Sequence, residues 1–151
     1  MNITLALCLP RDEMSVGIAR HICRDALVTL GVSDDCVADV ELAVTEACTN
    51  VLRHAASRTH EYEVQVEIDD STCQIRVIDA GDHFHMAEEP TPVPVTAESG
   101  RGLFLMKAMV DRLDLDHEPE AGTVVKLTKE LAFEGVTAPR GLAVVPQDPS
   151  L

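Results

Sequence analysis

The stretch from Glu41 to Ala55, ELAVTEACTNVLRHA, carries Val44, Cys48, Val51 and Ala55 at helical spacing. Val37 and Val40 extend the same apolar stripe backwards. The spacing therefore predicts a helix from a cap at Ser33 to about Ala56, with Asp34 and Asp35 at its positive end. A second stripe holds Glu46, Asn50 and Arg53, each about one turn from the next. A carboxylate, an amide and a guanidinium in line can hold a water, a metal and a phosphate together. A solvated helix face has the same look. Asparagine is a poor helix former, which tilts the balance towards a function for Asn50.

Working outward, Ile3, Leu5, Leu7 and Leu9 alternate and predict a half-buried strand ended by Pro10. Asp12 is placed to cap a helix whose apolar side is Ala19, Ile22, Cys23, Ala26, Leu27 and Leu30, stopped by Gly31. After the central helix, Tyr62, Val64, Val66 and Ile68 alternate. Asp69-Asp70-Ser71 turns the chain, and Cys73, Ile75 and Val77 alternate again, as in a hairpin. Residues 83–99 carry Pro90, Pro92 and Pro94 and no periodicity, and so long a loop is usually functional or disordered. Leu103, Met106, Val110 and Leu113 mark a third helix, and two short strands, 112–117 and 123–129, pair across residues 119–122. The order predicts a two-layer α/β sandwich: a mixed, mostly antiparallel sheet with its helices on one face. One domain is expected over residues 1–133, followed by a Pro-rich, mobile tail over 134–151.

The 151 residues carry 26 acidic and 12 basic side chains, a formal net charge of −14. Such a surface repels a phosphate backbone or an anionic membrane, so nucleic-acid and membrane binding are not expected. It leaves room for one anionic ligand in a locally positive site. The first nine residues lack a basic leader, and no apolar run approaches the roughly 20 residues that span a bilayer. Cys8, Cys23, Cys36, Cys48 and Cys73 form no CxxC pair, which suits small buried hydrophobes in a reducing cytoplasm.

Two further segments place polar residues where the pattern expects others. Asp79 follows the apolar run Val77-Ile78 and precedes Ala80-Gly81, so a carboxylate stands at the end of a strand beside a sharp turn. It can accept a hydrogen bond from a ligand amino group, although Asp and Gly also end strands by default. Gly100-Arg101-Gly102 precedes the third helix, where free backbone N–H groups and the helix's positive end make a phosphate cradle. It is neither a P-loop nor a dinucleotide-binding fingerprint.

In order and context, the three segments resemble the N box and the two glycine boxes of the Bergerat-type ATP-binding fold. They are most similar to its small single-domain branch, the bacterial anti-sigma-factor serine/threonine kinases. Glu46-Ala-Cys-Thr-Asn50, the run Gly102-Leu103-Phe104-Leu105-Met106 and the late Gly122-Thr123-Val124-Val125 carry the resemblance, which spans roughly residues 1–130.

The resemblance implies a kinase that uses ATP and Mg2+. Asn50 would ligate the metal, and Glu46 would act as general base on a protein hydroxyl. Asp79 would accept from the adenine amino group, helped by Gly81 and Thr123. Arg53, Gly100, Arg101, Gly102 and Leu103 would line the phosphate end, with Lys107 near, and residues 83–99 would form the lid. The implied partners are a sigma factor and a STAS-type anti-sigma-factor antagonist, with a homodimer through the sheet near the first strand. The first glycine box departs from the family pattern: His83 replaces its second glycine. That favours the alternative of an ATP-binding module that sequesters a regulatory protein without phosphotransfer. His83 and His85 on a loop are more simply solvated than metal-binding, and His54 fits a packing role.

Overall fold

The computed structural model describes residues 1–53, 60–79, 97–118 and 122–135. Strand β1 (Asn2–Pro10) leads into helices α1 (Glu13–Thr29) and α2 (Asp34–Arg53). Strands β2 (Glu61–Asp69) and β3 (Thr72–Asp79) follow, then α3 (Ala97–Met109), β4 (Arg112–Glu118) and β5 (Gly122–Glu130).

The strands form one sheet in the order β1-β2-β3-β5-β4. Each neighbouring pair is antiparallel, so the expected mixture is absent from the described pairings. The reason is topological. After β3 the chain crosses over through α3 and enters the sheet at its far edge, and β5 then turns back into the gap. β3 and β4 run parallel, but β5 separates them.

Registration builds two apolar rows across all five strands. Leu5, Val66, Ile75, Leu127 and Leu113 form one, and Leu7, Val64, Val77, Val125 and Leu115 the next. Because side chains alternate between faces, both rows lie on the same side of the sheet. Onto the core pack Ala19, Cys23 and Leu27 of α1 and Val37, Val40, Ala43, Val44, Ala47, Cys48 and Val51 of α2, all buried. Two residues further along β3 and β5, the same face presents Asp79 opposite Thr123. The apolar floor ends there and turns polar.

The predicted helix boundaries near the N-terminus hold. Asp12 is extended and accepts a hydrogen bond from the Met14 N–H at 2.6 Å. Gly31, at φ +81°, follows α1 in the left-handed region that favours glycine. Ser33 Oγ accepts from the Cys36 N–H at 3.4 Å. The described part of α2 ends at Arg53, so its expected extension to Ala56 lies outside the described residues. The same is true of the tail beyond residue 135. Ahead of it, a short strap closes the far end: Ser33 N–H donates to Ala132 O at 2.7 Å and Glu134 N–H to Gly31 O at 2.8 Å.

All five cysteines are free; Cys23, Cys36, Cys48 and Cys73 are buried, and Cys8 lies exposed on β1. Ser15 is fully buried and donates to Asp12 O at 2.7 Å, so the Tyr62 hydroxyl is the donor in the 2.6 Å bond between them. Burial pushes the Tyr62 phenol above its ordinary range. Tyr62→Phe removes that one bond while Ser15 keeps its own. The expected cost is about 1 kcal/mol, read as a lower denaturation midpoint with an unchanged slope.

Candidate nucleotide site

The last turn of α2 lies beside the polar end of the sheet, and the first half of α3 packs against α2. Glu46 and Asn50 are both partly buried, one turn apart on α2. Gly102 of α3 comes down on the first of them: a Cβ built on this glycine would lie 3.2 Å from Glu46 Oε2. A side chain at Gly102 would press on the carboxylate, which would have to give by a few tenths of an ångström. Glycine lets α3 lie against the stripe that the sequence singled out.

The phosphate-cradle reading needs correcting at one point. Gly100, Arg101 and Gly102 do not precede α3, because the helix begins at Ala97 and runs through them. Ala97 is a strong helix former. A glycine inside a helix costs only about 1 kcal/mol, so two do not halt it. The lid predicted over 83–99 loses residues 97–99 to α3 at its C-terminal end, and its remainder, residues 83–96, lies outside the described residues.

Leu103 is partly buried against the core and Met106 fully buried, which fixes the rotation of α3. Arg53 closes α2 exposed, and Lys107 is exposed in the last turn of α3. Gly81, His54, His83 and His85 lie outside the described residues.

At the other end of the site, Asp79 pairs across the sheet with Thr123. Its side chain is only 13% exposed and forms an ion pair with Arg11, whose side chain is 12% exposed. A second guanidinium nitrogen of Arg11, Nη1, donates to the Val51 carbonyl at 2.9 Å. The Arg11 N–H donates to His60 O at 2.9 Å, anchoring the residue between β1 and α1. Sequence reasoning missed Arg11. The only signal was a single arginine between a strand-ending proline and a helix-capping aspartate, where a charge is normally solvated.

The model of the histidine kinase-like ATPase domain matches residues 9–129, across every element that builds this site. The chain belongs to that family. Among curated relatives of this ATPase family, the serine-protein kinase RsbW of Bacillus licheniformis is 32% identical over 138 residues, covering 84% of this chain and 85% of the relative. RsbW of Bacillus subtilis (strain 168) is 30% identical over 139 residues, covering 85% and 86%. The anti-sigma F factor of Clostridium beijerinckii is 33% identical over 103 residues, covering 64% and 72%. A crystal structure of RsbU and RsbW domains from Mycobacterium tuberculosis superposes with a TM-score of 0.66 at 21% identity. It covers 85% of this chain and 32% of that longer one, and establishes the shared ATPase fold.

Proposed function

We infer that this ATPase-family protein is an ATP-dependent serine-protein kinase and anti-sigma factor of the partner-switching type. One observation carries the reading. Glu46 stands one turn before Asn50 on α2 with Gly102 closed against its carboxylate, while Asp79 faces Thr123 where the apolar floor ends.

The residues fit a nucleotide laid between those two ends. Asp79 and Thr123 offer the polar groups that an adenine edge requires. Gly102 keeps the phosphate end open where any side chain would crowd Glu46. Among the described residues no group of three or more His, Cys, Asp and Glu side chains forms a metal cage. A magnesium ion held by the Asn50 amide would take its other ligands from phosphate oxygens and water, and would offset charge on the transferring phosphoryl group. Glu46 takes the proton of an incoming serine hydroxyl as its oxygen bonds to the γ-phosphorus, the bond from that phosphorus to the β,γ-bridging oxygen breaks, and ADP leaves. Arg53, Gly81, Gly100, Arg101 and Leu103 line the phosphate end in this reading.

The protein partners are a sigma factor, which the chain sequesters, and a STAS-type antagonist, which it phosphorylates. With a net charge of −14, the surface suits a basic protein partner and repels nucleic acid and anionic membranes. No described helix is long and apolar enough to cross a membrane. The reading places the protein in the cytoplasm as a homodimer joined through the sheet near β1.

His83 in the first glycine box favours a second reading, sequestration without phosphotransfer. Incubation with Mg-ATP and an antagonist protein encoded beside it separates the two. The kinase reading expects phosphoserine on the antagonist. ATP binding, seen as a thermal shift growing with the logarithm of ATP concentration, with no phosphoserine leaves only the sequestering module.

A further inference from the structure

Arg11 joins the two halves of the site. Its Nη2 pairs with Asp79 at the end of β3, and its Nη1 holds the Val51 carbonyl, one residue beyond Asn50 on α2. The guanidinium is therefore a strut between the carboxylate at the base-recognising end and the helical turn at the phosphate end. It is held at its root by the bond to His60 O, and its Nε–H has no acceptor among the described residues. The fold thus buries a cation that it does not fully satisfy, beside a carboxylate nearly as buried. Such a pair is a weak device for stability alone, because desolvation offsets most of the attraction.

We propose that Arg11 is a positioning residue that sets nucleotide selectivity, holding the Asp79 carboxylate aimed so that the site accepts a purine bearing a 6-amino group and rejects one bearing a 6-oxo group. An ionised carboxylate only accepts hydrogen bonds, so it suits the adenine amino group and repels the guanine O6. Without the guanidinium the Asp79 side chain is no longer held in one direction, so it neither meets the amino group squarely nor opposes O6, and discrimination falls. The proposal rests on Asp79 reading the base, and the test separates the two ideas.

ATP and GTP affinities, each with magnesium, are measured by calorimetry on the full chain and on Arg11→Met, Arg11→Lys, Asp79→Asn and the double variant Arg11→Met/Asp79→Asn. Arg11→Met is expected to bind ATP about 10- to 100-fold more weakly, with GTP much less affected, so that the ATP-to-GTP preference narrows at least about 10-fold. In the Asp79→Asn background the same substitution is expected to change the preference little, since the partner it acts through is gone. Arg11→Lys keeps the charge but cannot span both acceptors; it should retain the preference and lose part of the ATP affinity. Equal weakening of ATP and GTP in Arg11→Met would mean a scaffolding role only and overturns the proposal. If Arg11→Met does not fold, Arg11→Lys decides: wild-type affinity for both nucleotides overturns the strut. Should Asp79→Asn itself keep the ATP preference, the base-reading role of Asp79 fails first. Loss of preference in Asp79→Asn but not in Arg11→Met removes the role of Arg11 alone.

Discussion

Glu46→Gln is expected to lower phosphotransfer by about 10²- to 10⁴-fold while leaving ATP affinity close to that of the wild type. The amide matches the carboxylate in shape, so its fit against Gly102 survives and the nucleotide site keeps its outline. What it loses is the capacity to accept a proton from a serine hydroxyl. A base that acts only as the hydroxyl oxygen attacks contributes to the transition state and not to the bound ground state. The expected signature is therefore a fall in kcat at a nearly unchanged ATP-induced thermal shift. Labelled phosphate from ATP, followed onto the antagonist protein, gives the first quantity, and a melting series gives the second. Transfer at the wild-type rate would remove Glu46 from the mechanism without disturbing the family assignment. Parallel loss of both readouts would place its role in binding.

The second large effect is alkaline unfolding. Burial raises the thiols of Cys23, Cys48 and Cys73 from 9.0 to about 12. Neighbouring cysteines reinforce this at Cys23 and Asp69 does so at Cys73, while the polar Tyr62 hydroxyl partly opposes it at Cys48. The sign follows from proton counts. Between pH 9 and about 12 the folded chain keeps protons that the unfolded chain has released, so stability falls as pH rises. The contribution of the neutral thiols is complete below pH 9 and is lost as pH climbs towards their folded values. Each unit is worth about 1.4 kcal/mol, so at pH 11 each thiol costs about 3 kcal/mol. Three such thiols are a large share of a typical domain's stability of about 5–15 kcal/mol. The fold is expected to lose stability steeply at 25 °C as pH rises above 9 towards about 12. Far-ultraviolet circular dichroism across a pH series measures it, with a variant carrying alanine at all three positions as the comparison. A fold that persists to pH 12, or a variant melting at the same pH as the parent, would count against the three thiols as the cause.

Much of this architecture can be read from residue spacing because the two periods are clean. Tyr62 to Ile68 and Cys73 to Val77 alternate without a break, and the stripe from Val37 to Val51 keeps to helical spacing, so sheet and helices declare themselves. Glu46 and Asn50 were visible for the same reason: they form a second stripe on a helix whose apolar side was already assigned. The start of α3 was misplaced because glycines at 100 and 102 look like punctuation, whereas the helix absorbs both. Arg11 escaped for a different reason. Nothing local distinguishes a buried arginine from a solvated one; its role appears only when β3 brings Asp79 back to it from 68 residues further along the chain. Pairing of that kind is a property of topology, and spacing within one segment carries no trace of it.

The order of the strands also bears on how the protein comes into being. β5 leaves the ribosome after β4, yet it takes its place between β3 and β4. Until residues 122–130 have emerged, β3 shows an open edge, β4 has nothing to pair with, and Asp79 waits for Thr123. Chains are made from the N-terminus, and unpaired strand edges invite other chains. A premature stop or a protease nick ahead of Gly122 therefore leaves no weakened enzyme behind. It leaves a sticky half-sheet, and the capacity to hold a nucleotide arrives only once β5 has been made.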